Sequence, residues 1–277
     1  MRVWEQLVRD PGASPNQSTY NAMLDGLCKL GRFKEAGEVW ERMIANNHQV
    51  GMITYGILIH GLCRSRDVDG AARVYSEMIK TGLVPDVAIY NSLIKGFCQA
   101  GRVGEAWKFW DSTSVSGIRN VITYNIMLKG LFDGGMVDEA RELWELLEKD
   151  TSSSPDMVSF GTVIHGLCEK GFANKALQIL VEAQTSGKKL DAFSYSSMIS
   201  GLCKDGRLDD AVKLYEKISM DGCKLNPHIY NALIKGFCQA SKFSDAVRIY
   251  GEMANNGCSP TVITYNTLID GLCKAEK

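Results

Sequence analysis

Apolar and polar residues alternate along this chain in two helical patterns that share one period. Starting at Tyr20, the apolar Tyr20, Met23, Leu24, Leu27 and Cys28 fall at i, i+3, i+4, i+7 and i+8. That spacing lays a single apolar stripe along a helix, here called helix A. The next segment, RFKEAGEVWERMIAN, places Ala36, Val39, Trp40 and Met43 on one face with charges opposite, and predicts a second amphipathic helix, helix B. Gly31, Gly101, Gly135, Gly171 and Gly206 stand between the two helices, where a left-handed cap ends helix A and turns the chain back. Gly82, Gly117, Gly187, Gly222 and Gly257 stand after helix B, and Pro85, Pro155 and Pro260 forbid its continuation. The pair recurs: GLCKLGR at Gly26 returns as GLCRSRD, GFCQAGR, GLFDGGM, GLCEKGF, GLCKDGR, GFCQASK and GLCKAEK at intervals of 34 to 36 residues.

A lone helical hairpin cannot bury its apolar face, so hairpins of this period stack into a solenoid in which each repeat touches its neighbours. The expected fold is therefore all-α, a superhelix of stacked antiparallel helix pairs with about 16 helices. Seven complete repeats are expected at 17–51, 52–86, 87–120, 121–156, 157–191, 192–226 and 227–261. Residues 1–16 read as helix B of an incomplete repeat and 262–277 as helix A of another, as in a piece of a longer chain. The glycines Gly26, Gly61, Gly96, Gly130, Gly166, Gly201, Gly236 and Gly271 recur inside helix A, where each costs about 1 kcal/mol relative to Ala. Close approach of helices is the expected compensation, there and at the recurring Ala36, Ala71, Ala106, Ala140, Ala176, Ala211 and Ala246.

Composition narrows the function. With 31 basic and 32 acidic residues among 277, the formal net charge is -1, so any basic surface must be local. No apolar run reaches the roughly 18 to 20 residues of a membrane span. The N-terminal stretch MRVWEQLVRDPGASPN mixes acids with bases and reads as neither signal nor transit peptide. Cys28, Cys63, Cys98, Cys168, Cys203, Cys238 and Cys273 hold equivalent places in the apolar stripe, with no CxxC and no Cys–His cluster of zinc spacing. They read as buried free thiols, with Cys223 and Cys258 the more exposed pair; no metal and no cofactor is expected. His60 and His165 occupy equivalent sites where other repeats carry Asp, Lys or Ser, and read as variable helix surface. No catalytic constellation and no phosphate-cradling glycine loop is found, so the expected activity is binding rather than catalysis.

The period, the phrase VITYNTLIDGLCKA and stretches such as GLVPDVAIYN resemble one family, the pentatricopeptide repeat proteins, in the plain class built of 35-residue repeats. The Trp and Leu-Gly early in helix A that mark tetratricopeptide repeats are absent. The resemblance covers essentially the whole chain and implies a right-handed superhelix that binds single-stranded RNA one base per repeat. It also implies an organellar location, with the mitochondrion placed ahead of the chloroplast, and work in transcript processing, stability, splicing or translation. Other processing factors are expected partners, the chain itself a monomer able to dimerise through exposed ends, and no membrane is involved.

Carried over residue by residue, the resemblance makes two positions per repeat select the base. One follows the aromatic of helix A: Asn21, Gly56, Asn91, Asn125, Gly161, Ser196, Asn231 and Asn266. The other closes the repeat: Gly51, Asp86, Asn120, Asp156, Asp191, Asn226 and Thr261, with Asn16 before them. Asn and Ser are poor helix-interior residues, so their recurrence asks for a reason. The closing Asp and Asn also suit N-caps of the next helix. Asp only accepts, which fits the N–H groups of U and G, whereas Asn also donates to the bare ring nitrogens of A and C. Family pairing rules then give about 5'-Y-G-C-U-G-A-Y-3' for the seven repeats.

An aliphatic or ring side chain three positions before the first selecting residue would sandwich each base: Ile53, Ile122, Val158, Phe193, His228 and Ile263, with Ser18 and Ala88 offering little. Ordinary interhelical packing is the alternative for the aliphatic ones. Lys29, Arg64, Lys204 and Lys274, each after the helix-A Cys, would contact phosphate, with Gln99 and Gln239 able to donate. Asp133 and Glu169 break that series, which predicts weaker backbone contact around the fourth and fifth repeats. The competing function is a solenoid that holds a protein or peptide in the same groove.

Overall fold

A computed structural model of the chain describes Trp4, Gln6, Leu7 and residues 15–46, 48–220 and 225–275, with the side chains of Val115, Lys274 and Ala275 outside the description. Gly222, Cys223, the Lys274 side chain and most of the segment Arg2–Arg9 thus lie outside the described residues. Among those described there are fifteen α-helices and no strand: the protein is an all-α helical-repeat solenoid. It divides into two compact units, Met1–Gly134 and Gly135–Lys277.

The first unit holds α1 (Gln17–Lys29), α2 (Phe33–Ala45), α3 (Met52–Arg64), α4 (Val68–Lys80), α5 (Val87–Gln99), α6 (Val103–Val115) and α7 (Val121–Asp133). Odd-numbered helices here are helices A. The second unit begins with a helix B, α8 (Val137–Lys149). It continues with α9 (Met157–Glu169), α10 (Ala173–Thr185), α11 (Ala192–Lys204), α12 (Leu208–Met220), α13 (Pro227–Gln239), α14 (Phe243–Asn255) and α15 (Val262–Ala275). Within each unit a helix A packs on its own helix B and on the next helix A: α1 on α2 and α3, α3 on α4 and α5, α9 on α10 and α11, α11 on α12 and α13.

Three contacts explain the recurring residues. First, the aromatic at the start of helix A meets a ring from the preceding helix B, edge to face. Trp40 and Tyr55 have centroids 5.4 Å apart, Trp110 and Tyr124 4.9 Å, and Trp144 and Phe160 5.1 Å. Such pairs add about 0.5–1.5 kcal/mol beyond the area they bury. Second, Ala36, Ala71, Ala106, Ala140, Ala176, Ala211 and Ala246 are fully buried in helix B, where a larger residue would separate the helices.

Third, the Cys of one helix A fills a hollow over the glycine of the next. A Cβ placed on Gly61 would lie 2.6 Å from Cys28 Cβ, and one on Gly96 2.7 Å from Cys63 Sγ. Gly130, Gly201, Gly236 and Gly271 meet Cys98, Cys168, Cys203 and Cys238 in the same way. The repeated phrase GLC is thus half of a contact between successive repeats: the Gly receives the Cys before it, and the Cys fills the Gly after it. Burial pushes the thiols up, Cys28 to about 11 and Cys63 and Cys168 to about 12, so they stay protonated and unreactive. The cysteines that the structure describes are free, Cys258 half-buried and Cys273 exposed.

The hairpin turns use the left-handed region, as at Gly31 with φ 72° and Gly206 with φ 73°. Two repeats make the same turn without glycine, at Arg66 with φ 66° and Ser241 with φ 57°. No helix among the described residues is long and apolar enough to cross a membrane.

Candidate nucleic-acid interface

Apart from α3, each helix A starts on a residue whose side chain accepts from the backbone N–H three residues on. Asn16 Oδ1 takes Thr19 N at 2.9 Å, Asp86 takes Ile89 N at 2.9 Å, Asp156 takes Ser159 N at 2.8 Å, and Asn226 takes Ile229 N at 3.1 Å. Asn120, Asp191 and Thr261 do the same for Thr123, Ser194 and Thr264. Gly51 has no side chain to offer. The closing residues are therefore N-caps, each contributing about 1 kcal/mol. The cap engages one oxygen of Asp86 or Asn226 and leaves a second polar atom on the same group.

A side chain absent from the expected site bonds one or the other of the two selecting positions of a repeat. It is the Ser or Thr just before the aromatic, fully buried at Thr54, Thr123, Ser159, Ser194 and Thr264. Where the cap has a side chain, the hydroxyl gives its proton there: Ser194 Oγ donates to Asp191 at 2.7 Å and Thr123 Oγ1 to Asn120 at 3.1 Å. Where the cap is Gly51, Thr54 Oγ1 turns to Asn21 Oδ1 at 2.9 Å instead. A Cβ built on Gly161 lies 3.0 Å from Ser194 Oγ, the same hydroxyl that Asp191 holds. In the first and fifth repeats the two expected selecting positions thus lie around one hydroxyl of the next helix. The recurring Thr-Tyr, Ser-Phe and Ser-Tyr pairs in the sequence were the available signal for it.

Oδ1 of Asn91 and of Asn231 is buried with no hydrogen-bond partner. A buried, unpaired amide oxygen is uncommon and marks a place where a partner is missing or strain is stored. Asn266 and His228 are exposed, while Ser196 is half-buried.

The side chains expected to sandwich bases stand out from the helices. Ile53 is 69% exposed, Ile122 55%, Val158 58%, Phe193 52% and Ile263 60%, so half or more of each side chain is open to solvent. In the second unit, Phe193, Ser196, His228, Asn231, Ile263 and Asn266, from the three helices α11, α13 and α15, line one open groove of about 680 Å³. Exposed apolar side chains between polar ones, repeated from helix to helix, make a surface on which flat rings can stack and be addressed at their edges.

The basic row is partly neutralised. Lys29 Nζ pairs with Asp25 at 2.6 Å, and Lys204 Nζ with Glu169 at 2.6 Å across two repeats. The hydrogen bond from Lys204 holds the Glu169 carboxyl below its ordinary range. Asp133 pairs with Lys129 at 3.4 Å. Arg64 is exposed. Lys235, one turn after Asn231, lines the groove together with His165 and Glu169. Among the described residues no group of three His, Cys, Asp or Glu side chains is arranged to hold a metal.

Comparison with known proteins agrees with this architecture. The PPR repeat family matches residues 15–64, 51–88 and 225–274, and the PPR repeat matches 81–112, 117–148, 152–184 and 186–219. Among solved structures, the chain is similar to the pentatricopeptide repeat protein PPR10 from maize, at 21% identity and a TM-score of 0.66, covering 99% of this chain and 44% of that one. It is also similar to PPR10 in complex with an 18-nt psaJ RNA element, at 22% identity and a TM-score of 0.61, covering 99% and 45%. The PPR domain of the Arabidopsis thaliana protein-only RNase P 1, in complex with tRNA, is similar at 15% identity and a TM-score of 0.53, over 64% of this chain and 94% of that domain. The chain spans less than half the length of the PPR10 chains it matches. No curated protein matches it. With repeat matches from residue 15 to residue 274 and the helical hairpins to go with them, the chain belongs to the pentatricopeptide repeat (PPR) family.

Proposed function

We propose that this chain binds single-stranded RNA in sequence-specific fashion, one base per repeat, along the face formed by its A helices. The observation that carries the reading is the groove of α11, α13 and α15, where exposed Phe193, His228 and Ile263 alternate with Ser196, Asn231 and Asn266. Flat bases stack on the first set and present their edges to the second. That PPR10 is found with an 18-nt RNA element supports it. Family pairing rules give about 5'-Y-G-C-U-G-A-Y-3' for repeats one to seven, with Asn125 and Asp156 assigned to U, and Ser196 and Asn226 to A. Phosphate contact comes from Arg64 and Lys274, and from Lys29 and Lys204 where their partners Asp25 and Glu169 give way. The organellar setting, the mitochondrion ahead of the chloroplast, and the role in transcript processing, stability, splicing or translation follow from the family. The chain works by binding, as a monomer alongside other processing factors. A peptide in the same groove would have no use for paired amides and carboxylates at fixed positions in every repeat.

The test is titration of labelled RNA by anisotropy, with the string above, the same composition scrambled, and the string annealed to its complement. Binding to the single strand should exceed binding to either control by about ten-fold or more, since a mismatched base costs on the order of 1–3 kcal/mol and a duplex hides its Watson–Crick edges. Affinity should fall with salt at a slope of about -0.7 per phosphate contact. Equal binding of all three RNAs would overturn the reading.

A further inference from the structure

Two repeats lack a side chain at the first selecting position, and the same two carry histidine one turn later. Gly56 is followed by His60 and Gly161 by His165, and both repeats close on Asp, at Asp86 and Asp191. Where that position bears a side chain, the residue one turn on is Asp25, Lys95, Lys129, Ser200, Lys235 or Asp270. Residues i and i+4 share a helix face, so each imidazole stands on the face of the bare glycine, one turn further along the helix. Packing does not explain Gly56: a Cβ there would meet only Ile89 Cγ1, at 3.9 Å, an ordinary contact. Glycine inside a helix costs about 1 kcal/mol relative to Ala, so Gly56 provides room at the surface at some expense of stability.

We propose that His60 and His165 supply the base-contacting group that Gly56 and Gly161 lack, and that together with Asp86 and Asp191 they select guanine over uracil; the inference rests on the one-base-per-repeat reading above. Both rings are tethered to the next repeat. His60 Nδ1 lies 3.4 Å from Ser92 Oγ, and His165 Nδ1 lies 3.0 Å from Ser197 Oγ with its ring 5.1 Å from that of Phe193. The other A helices carry Ala, Ile or Thr where Ser92 and Ser197 stand.

The His60 tether sets the chemistry of the ring. Ser92 Oγ donates its proton to Ala88 O at 2.9 Å, so its lone pair faces His60 and the contact runs from Nδ1–H to Oγ. Nε2 is then a bare acceptor. Burial, then Arg64 on the same helix and Lys95 on α5, with Lys29 on α1, hold the imidazole below its ordinary range against the pull of Asp25, so it stays neutral. Asp86 keeps a second carboxylate oxygen beyond the one that caps α5. Guanine offers two adjacent donors on its Watson–Crick edge, N1–H and N2–H, whereas uracil offers N3–H alone. A carboxylate and a neutral Nε2 are two acceptors for two donors; uracil leaves one unmet.

The experiment measures affinity for four RNAs that differ only at the base opposite the second repeat, and four that differ only opposite the sixth, where Ser196 and Asn226 select. The wild-type chain should prefer G to U opposite His60 by roughly ten-fold, the worth of one specific base contact. His60→Phe keeps a ring but no acceptor, and should bring G and U level while leaving the preference at the sixth repeat intact. Gly56→Asn with His60→Lys copies Asn125 and Lys129 of the fourth repeat, and should reverse the preference to U. A G preference that survives His60→Phe, or wild-type discrimination at the sixth repeat with none at the second, overturns this inference alone. Discrimination at neither repeat overturns the one-base reading with it.

Discussion

At the far end of helix A one contact recurs with the same chemistry: Cys28 fills the hollow over Gly61, Cys63 that over Gly96, and Cys203 that over Gly236. At the near end the same atoms are wired differently from repeat to repeat. Thr54 gives its hydroxyl proton to Asn21, because Gly51 has no side chain to take it. Thr123 gives its proton to the cap Asn120, and Asn91, in the place of Asn21, is left with a buried, unpartnered Oδ1. The difference is one of alternatives. A hollow set by two helix backbones accepts one shape, whereas a hydroxyl proton flanked by two acceptors goes to whichever neighbour is present. Packing therefore varies little, with Phe132 in the place of Cys in the fourth repeat, and hydrogen bonding is where repeats differ most and where a readable surface can be written.

The contrast breaks most visibly at the packed end. Gly96→Ala drives a Cβ into Cys63 and should destabilise by about 1–3 kcal/mol, the usual cost of overpacking. Gly26→Ala, at the equivalent place in α1, meets no described atom within 4 Å and should instead stabilise by up to about 1 kcal/mol through helix propensity. Urea midpoints of the two variants decide it: shifts of the same sign would remove the Cys–Gly contact as the reason for the recurring glycine.

At the hydrogen-bonded end, Thr54→Val should cost on the order of 1–3 kcal/mol, because Asn21 is only 8% exposed and its Oδ1 would lose its partner. Thr123→Val should cost about 1 kcal/mol or less, since Asn120 still caps the backbone N–H of residue 123 at 3.0 Å. Comparing the two by denaturant unfolding sharpens the comparison of the first and third repeats. Equal losses would mean that the hydroxyl serves only as packing.

Much of this was legible in the sequence. Apolar spacing and the punctuating glycines call for antiparallel helix pairs, and Ile53, Ile122, Val158 and Ile263 stand outside the apolar stripe where an exposed side chain belongs. Three things were not. The role of Thr54 was one, because its hydroxyl bonds Asn21, 33 residues away. The pairing of Asp25 with Lys29 is visible as an i, i+4 spacing, but that of Glu169 with Lys204 joins two helices that only the stacking brings together. The histidines His60 and His165 read as variable surface until their tethers to Ser92 and Ser197 appeared.

The selecting pair of the sixth repeat offers a smaller, local change. Ser196→Asn with Asn226→Asp copies the fourth repeat's Asn125 and Asp156, keeps a capping side chain at residue 226, and should move the preferred base from A to U. A single base contact predicts a change in relative affinity of about ten-fold. Asn and Asp are nearly equal N-caps, so a purely capping role predicts no change in preference. Affinities for RNAs that differ only at that base, with helicity matched by circular dichroism, separate the two outcomes.

The smallest effect is expected at the turns, where Arg66 and Ser241 hold the place of glycine. A left-handed conformation costs an L-residue roughly 1–2 kcal/mol, which Arg66→Gly and Ser241→Gly would relieve. Glycine also gains freedom in the unfolded chain, which takes back about 0.4–1 kcal/mol. The net gain should be about 0.5 kcal/mol for each. Gly206→Ser, the reverse change in the neighbouring repeat at φ 73°, should lose a similar amount. Because the turns lie beyond the far end of helix A, none of the three should alter base preference. A gain from Gly206→Ser, or a loss from Ser241→Gly, would show that the residue in the turn is held by side-chain contacts rather than by its backbone, and would move the turn from the less variable part of the molecule to the more variable one.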